Sequence, residues 1–284
     1  MRAKSKALIL GFSVLCLAGI PAWLFFVPPQ FPRYAPDFSY SVDVVSSDNF
    51  YDEDKKVFLG PQLSKTKFYY ETKSQDKGVL TIQNVFDVRK MTGEKIFTVE
   101  RLYGIDAKTG QHVKGFGDRD RSGYLFAPKN LKKQDYVTWH INYNEPAPMK
   151  FRQEEKINDL TVYRYEADYH ADQTKNLGFL PGVPDKRGVE LDIDLQSWIE
   201  PLSGRMIKYE DKTTAYYYDQ KTKERLHPWN KFNNRYSTSS IDEQVESAKK
   251  DKQKIIFNER LVPGLLAGAA FLLFSLFIFP SKQP

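Results

Sequence analysis

The chain has 284 residues, a net charge of +6 and a single cysteine. Two uncharged apolar runs, residues 7–27 and about 262–279, stand at its ends, each near the ~20 residues a helix needs to cross a bilayer. Arg2, Lys4, Lys6 and Lys282 lie outside the segment between the runs, which keeps 38 basic against 36 acidic residues. This near-neutral middle excludes the concentrated basic face of a nucleic-acid binder.

In chain order, residues 1–6 form a short basic tail and residues 7–27 a first membrane helix. The run is longer than the apolar core of a signal peptide, and "LAGIPAWLFFVPP" continues through Trp23, Leu24, Phe25 and Phe26 without a small-residue cleavage site. An uncleaved signal anchor is the expectation. Cys16 lies inside this run, and "SVLC" lacks the small residue that lipoprotein processing requires, so it reads as an apolar residue facing lipid. The segment beyond has no cysteine and therefore no disulfide.

Residues 28–239 read as β-rich. Runs of β-branched and aromatic residues such as "KFYYET", "GVLTIQNVFDV", "EKIFTVERLYGI" and "RMIKYEDKTTAYYYD" alternate with turn signals. Tight turns at residues 106–110 and 201–204 each end in a glycine suited to positive φ, and tight turns join antiparallel strands. The predicted fold is mainly β: an antiparallel meander or barrel-like ectodomain flanked by two transmembrane helices. Residues 145–148 and 176–188, rich in proline and glycine, read as loops.

Within this segment "DRDRSG" places Asp118, Asp120 and Ser122 at alternate positions before Gly123, the spacing of the first half of a calcium loop. Position 12 of such a loop would be Lys129 where a bidentate Glu is needed. The alternative is a polar turn held by Asp side-chain hydrogen bonds. Calcium at Asp118, Asp120 and Ser122 is thus the one cofactor the sequence leaves open. His112, His140, His170 and His227 have no zinc spacing, and neither a phosphate loop nor a nucleophile elbow occurs.

Adjacent Glu154 and Glu155 fall on opposite faces of a strand. Asp192 and Asp194 share a face, opposite Leu191, Ile193 and Leu195. They read as a solvent-facing strand, or else as a carboxylate pair acting on a cation or glycan. Trp139, Trp198, Tyr217 and Trp229 are either aromatic core or the lining of an apolar ligand cavity.

Towards the C-terminus, Ser240 and Glu243 have capping-box spacing, and Ile241, Val245, Ala248, Ile255 and Ile256 follow a helical stripe. Residues 240–261 therefore form a stalk helix, expected to bend or restart at Pro263-Gly264. Residues 262–280 form the second span and residues 281–284 a tail. Arg2, Lys4 and Lys6 before the first span favour an inside N-terminus and an outside domain. Lys249, Lys250, Lys252, Lys254 and Arg260 before the second span argue the reverse. The first helix usually dominates, so an extracytoplasmic domain at the plasma membrane is expected.

The succession Gly123, Leu125, Phe126, Pro128, then Tyr136 and Trp139, then Leu160 and Tyr163, then Trp198, Pro201 and Gly204, set between two terminal apolar helices, resembles the porin PorA family, a family of unknown function. The resemblance spans nearly the whole chain and implies architecture and membrane location rather than an activity. A pore-forming barrel needs strands with an apolar lipid-facing side, whereas this chain announces helical spans and a charged middle.

Taken together, these features point to a non-enzymatic envelope protein that binds a ligand or partner near the bilayer, with a lipid or another membrane protein as partner. Two other readings remain: a lipid-binding or transfer module with an apolar tunnel, similar in layout to the scavenger-receptor family, and an envelope hydrolase using Asp192 and Asp194.

Overall fold

The computed structural model describes residues 3–27, 34, 36–175 and 186–278. It divides into a β unit, residues 34–249, and a helical unit formed by the two ends of the chain. Most of the loop predicted at 176–188 and the tail at 281–284 lie outside the described residues.

In the β unit, strands β1 (Ser39–Asp52), β2 (Val57–Phe58), β3 (Gln62–Asp76), β4 (Val79–Lys90), β5 (Lys95–Asp106) and β6 (His112–Gly117) are followed by β7 (Tyr136–His140), β8 (Glu145–Ile157), β9 (Leu160–Asp172), β10 (Arg187–Ile199), β11 (Met206–Asp219) and β12 (Arg225–Tyr236). Their order across the sheet is β6-β5-β4-β3-β1-β12-β11-β10-β9-β8-β7, with β2 paired to β1. Two antiparallel meanders thus meet where the first strand pairs with the last, in the register Val44 to Tyr236. This is the mainly antiparallel fold expected from the tight turns.

The sheet does not close strand to strand. Its free edges, β6 and β7, are joined by a strap, residues 123–125. His112 N–H donates to Gly123 O (2.9 Å), Leu125 N–H to Gly110 O (3.0 Å), Tyr124 N–H to Val137 O (3.0 Å) and Trp139 N–H to Tyr124 O (2.7 Å). Gly123 has φ 77°, and a Cβ there would lie 2.6 Å from Val137 O, so only glycine fits. The result is barrel-like, sealed by single-residue bridges.

Strand alternation fills the interior. Ser64, Thr66, Phe68 and Tyr70 of β3 point inward while Lys65 and Lys67 point out. On β10, Leu191, Ile193 and Leu195 are at most 3% exposed, and burying each stabilises by roughly 1.5–3 kcal/mol. Inward residues form two clusters, one around Tyr165, Leu191 and Ile193, the other around Leu80, Ile82 and Tyr103. Both predicted turns occur: Asp106 Oδ1 accepts from Thr109 N–H (2.7 Å) and Gly110 has φ 78°, while Ser203 N–H donates to Glu200 Oε2 (2.6 Å) and Gly204 has φ 68°.

The segment at 145–148 is not a loop. It is the first part of β8, paired with β7 so that Trp139 faces Pro146 and Val137 faces Pro148. Pairing of β8 with β9 begins only at Lys150. The prolines, which lack an N–H, therefore stand where β8 has a partner on one side alone.

Helix α2 (Thr238–Ile256) starts three residues earlier than the Ser240–Glu243 spacing predicts. Ser237 is the cap: its hydroxyl accepts from Ser240 N–H (3.1 Å), while the Ser240 hydroxyl accepts from Asp43 N–H on β1 (2.8 Å). The predicted stripe packs on the outer face of the sheet, with Val245 and Ala248 against Leu160, Val162, Trp198 and Ile207.

The helical unit holds α1 (Ala3–Phe26) and α3 (Val262–Ile278), both apolar enough to cross a bilayer. They run antiparallel, Gly19 meeting Leu266 and Trp23 meeting Asn258. The bend predicted at Pro263-Gly264 is replaced by a π-helical turn, Phe257–Leu261, that joins α2 to α3 without interruption. In this register Val262 N–H donates to Phe257 O, so the next carbonyl, Asn258 O, would require the N–H that Pro263 lacks. The Trp23 indole supplies it, donating to Asn258 O at 2.8 Å.

Candidate functional site at the barrel seam

Two buried arginines, Arg101 and Arg121, stand at the seam beside the strap. Arg101 lies on β5, and Arg119 and Arg121 in "DRDRSG". Arg121 is buried, with its guanidinium 4.3 Å from the Tyr103 ring centre and 5.6 Å from that of Trp139. It donates to Leu102 O (2.9 Å) and pairs with Asp118 Oδ1 (2.6 Å). Asp118 Oδ2 accepts from Leu102 N–H (3.1 Å) and Asp120 Oδ1 from Gly115 N–H (2.8 Å). Ser122 is exposed. In this arrangement the stretch is a turn that anchors β6 to β5, and its aspartates already have protein donors. No group of three or more His, Cys, Asp or Glu able to share a metal occurs among the described residues.

All three arginines also reach the β7–β8 turn, "HINYN". Arg101 donates to Ile141 O, Arg119 to Asn144 O (2.7 Å) and Arg121 Nε to Asn144 Oδ1 (3.4 Å). Asn144, at φ 56°, also accepts from Trp139 Nε1 at 3.2 Å. Guanidiniums carry five donors in a fixed fork, which suits them to hold a reversing backbone by its carbonyls. Near them, burial and the charge of Arg121 push His112 down to about 4.

The turn carries His140, Asn142 and Tyr143 into the barrel, where they meet β9 and β11. His140 Nδ1 lies 2.7 Å from Tyr169 OH, and Nε2 lies 3.0 Å from Tyr209 OH and 3.5 Å from Asp211 Oδ2. Tyr209 OH donates to Asp211 Oδ2 (3.2 Å) and accepts from Asn142 Nδ2 (3.0 Å). The tyrosine's one proton is therefore spent on the carboxylate, so His140 Nε2 must donate. In the neutral ring Nδ1 then accepts from Tyr169.

Asp211 is fully buried. Its Oδ2 also accepts from Asn142 (2.8 Å) and Asn234 (3.3 Å), and its Oδ1 from the Thr213 hydroxyl (2.7 Å). Burial alone would raise this carboxyl, but His140, Thr213 and Asn142 hold it below its ordinary range. Both ring nitrogens and both carboxylate oxygens thus have protein partners. The constellation has the groups of an acid–base relay, and its hydrogen bonds tie the turn to β9 and β11. One pocket among the described residues, between Ala127, Leu131, Tyr136, Met149, Tyr165 and Ile199, has room for little more than a water.

The four aromatic residues singled out from sequence do not line one cavity. Trp139 belongs to the seam, and Trp198 lies on the outer face under α2, donating to Glu155 Oε2 (2.8 Å) with Lys208 Nζ 4.0 Å from its ring centre. Only Tyr217 and Trp229 meet, at 5.6 Å between ring centres. The residues are large enough for both roles, and strand parity and the order of the sheet decide which face each takes.

Asp192 is tied bidentately to Arg225 (2.9 and 3.1 Å) and to His170 Nδ1 (3.0 Å), while Asp194 is exposed on the same outer face. Asp211, which the sequence reading passed over, could have been found. It occupies the inward parity of β11 between Tyr209 and Thr213, where a charge must have a partner.

The outward side of the strands carries Lys65, Lys67, Asp87, Arg89, Glu190, Asp192 and Asp194, not the apolar band of a lipid-facing barrel. A search of curated proteins finds no match to the chain. A family model described as porin PorA matches residues 6–277. With the two apolar helices, it fits a membrane-associated protein, and the chain belongs to the porin PorA family.

Proposed function

We propose that this is a non-enzymatic envelope protein, held at the plasma membrane by its two terminal helices, with the β unit on the extracytoplasmic side binding a ligand or partner at the bilayer surface. The observation that carries this reading is the packed interior. Among the described residues its main polar cluster, around His140 and Asp211, bonds internally rather than converging on an open space, which leaves recognition to the outer surface. The basic start of the chain, Arg2, Lys4 and Lys6, supports the orientation. The seven-residue string of outward charges supports a domain bathed in water rather than lipid.

The test uses Lys175, exposed on the β unit. A Lys175→Cys variant in a Cys16→Ser background is treated on intact cells with a membrane-impermeant thiol reagent. Labelling is the expected result; labelling only after lysis would overturn the orientation. Partner binding is tested by photo-crosslinking from Lys67 and Asp194 in intact membranes. A discrete adduct from either position is expected, and a lipid adduct confined to inward positions such as Tyr165 would favour the tunnel reading instead.

A further inference from the structure

We propose that the juncture of α2 and α3 is a binding collar for the anionic headgroups of the surrounding phospholipid bilayer, built from Lys250, Lys252, Lys254 and Arg260. The argument begins with depth. Trp side chains settle at the membrane–water interface, and the hydrogen bond from Trp23 to Asn258 O fixes that level on both helices at once. At 1.5 Å per residue, Lys254 stands about 6 Å and Lys250 about 12 Å along the helix from Asn258. The headgroup layer is roughly 5–8 Å thick on each side of the hydrocarbon, and a charge is felt over about 8–10 Å more. The lysines therefore stand in or just above the phosphates.

Pairing along the helix accounts for these residues only in part: Asp251 stands three before Lys254, and Glu246, four before Lys250, pairs with Lys249 at 2.8 Å. Lys250 and Lys254 are four apart, the spacing at which like charges repel along a helix, and both are exposed. Neither they nor Lys252 makes an ion pair among the described residues. Cations at a helix end are usual because they meet the negative pole of its dipole. Here, though, the helix does not end: it runs through the π-helical turn into α3. What remains is an external anion. A bilayer surface supplies a two-dimensional array of phosphates, which suits three lysines and an arginine spread over several turns better than one small ion does.

The experiment uses the full chain reconstituted in phosphatidylcholine bilayers, with spin-labelled phosphatidylglycerol or spin-labelled phosphatidylcholine as the probe. The ratio of their association with the protein is read from the motionally restricted signal. At low salt the ratio is expected to exceed about three, well under the ceiling of about fivefold per lysine. It should approach one in the K250Q/K252Q/K254Q variant and near 1 M salt, where screening acts within ~3 Å. Circular dichroism checks that the variant keeps its helices. A wild-type ratio near one would overturn the proposal. So would a ratio that the triple variant leaves unchanged, since the preference would then sit at the other end of the helix pair. Inorganic phosphate added at constant ionic strength should leave the ratio unchanged; its loss would mean a site for free phosphate and not a headgroup collar. The readout is independent of which way the protein faces, so the orientation can fail without this proposal failing.

Discussion

Replacing Asp211 by alanine tests whether the buried network locks the β7–β8 turn. In the wild type its carboxylate takes hydrogen bonds from Thr213, Asn142, Tyr209 and Asn234. Alanine leaves the two amides without that acceptor in a site that water does not reach. Each orphaned donor costs about 1–3 kcal/mol, so the pair alone costs about 2–6 kcal/mol; removal of one partner from a buried charged network typically costs about 3–5 kcal/mol. About 4 kcal/mol is expected. Asp211→Asn should cost less, about 1–2 kcal/mol. Its carbonyl can face Asn142 and Asn234 while its amide donates to Thr213 Oγ1, so that chiefly the charge assistance is lost.

The assay is urea unfolding of the full chain in micelles, followed by tryptophan fluorescence, with Asp194→Asn as an exposed control expected within about 0.5 kcal/mol of wild type. Hydrogen exchange at Asn144, whose N–H bonds to His140 O at 2.7 Å, should quicken in Asp211→Ala. Because the Asp211 pKa is lowered in the fold, the contribution is present above the unfolded carboxyl value and lost as pH falls through the folded one. The gap between wild type and alanine should therefore narrow in acid. A loss under about 1 kcal/mol at neutral pH, with Asn144 exchange unchanged, would refute the claim that this network holds the turn.

Three further outcomes follow from the same structure. His112, depressed to about 4 in the fold, adds stability that is full above its ordinary value of 6.5 and drains as pH falls through 4. The slope approaches about 1.4 kcal/mol per pH unit, and His112→Gln should flatten acid titrations of stability in that window. Glu145, raised by burial, has Oε1 buried without a partner and Oε2 accepting from Gln173 (3.2 Å). Glu145→Gln should stabilise the protein at neutral pH, a gain that disappears once acid protonates the wild type. Trp23→Phe should destabilise the helix pair by about 0.6–1.7 kcal/mol in a bilayer assay. A Pro263→Ala background, by restoring the missing N–H, should shrink that cost; additive effects would contradict the account of the π-helical turn.

The sequence by itself determined whatever depends on local pattern. Two charge-free runs announced the apolar helices. Alternation in "LDIDLQSW" announced a strand with Leu191, Ile193 and Leu195 inside, and glycines at 110 and 204 announced the turns. The tertiary structure decided what depends on which strands become neighbours. Residues 145–148 look like a loop because proline cannot sit in a sheet interior, and they are a strand because this part of β8 pairs on one side only. Pro263 looks like a break, and the helix passes it because Trp23, 240 residues away in the chain, supplies the donor that proline lacks. "DRDRSG" has the spacing of half a metal loop, and nothing in that spacing says that the fold brings the N–H groups of Leu102 and Gly115 to its aspartates. His140 and Asp211 carry no shared motif, since spacing along a chain says nothing of two residues that face each other across a barrel. Only the order of the sheet, which brings β7, β9 and β11 around one interior point, makes them partners.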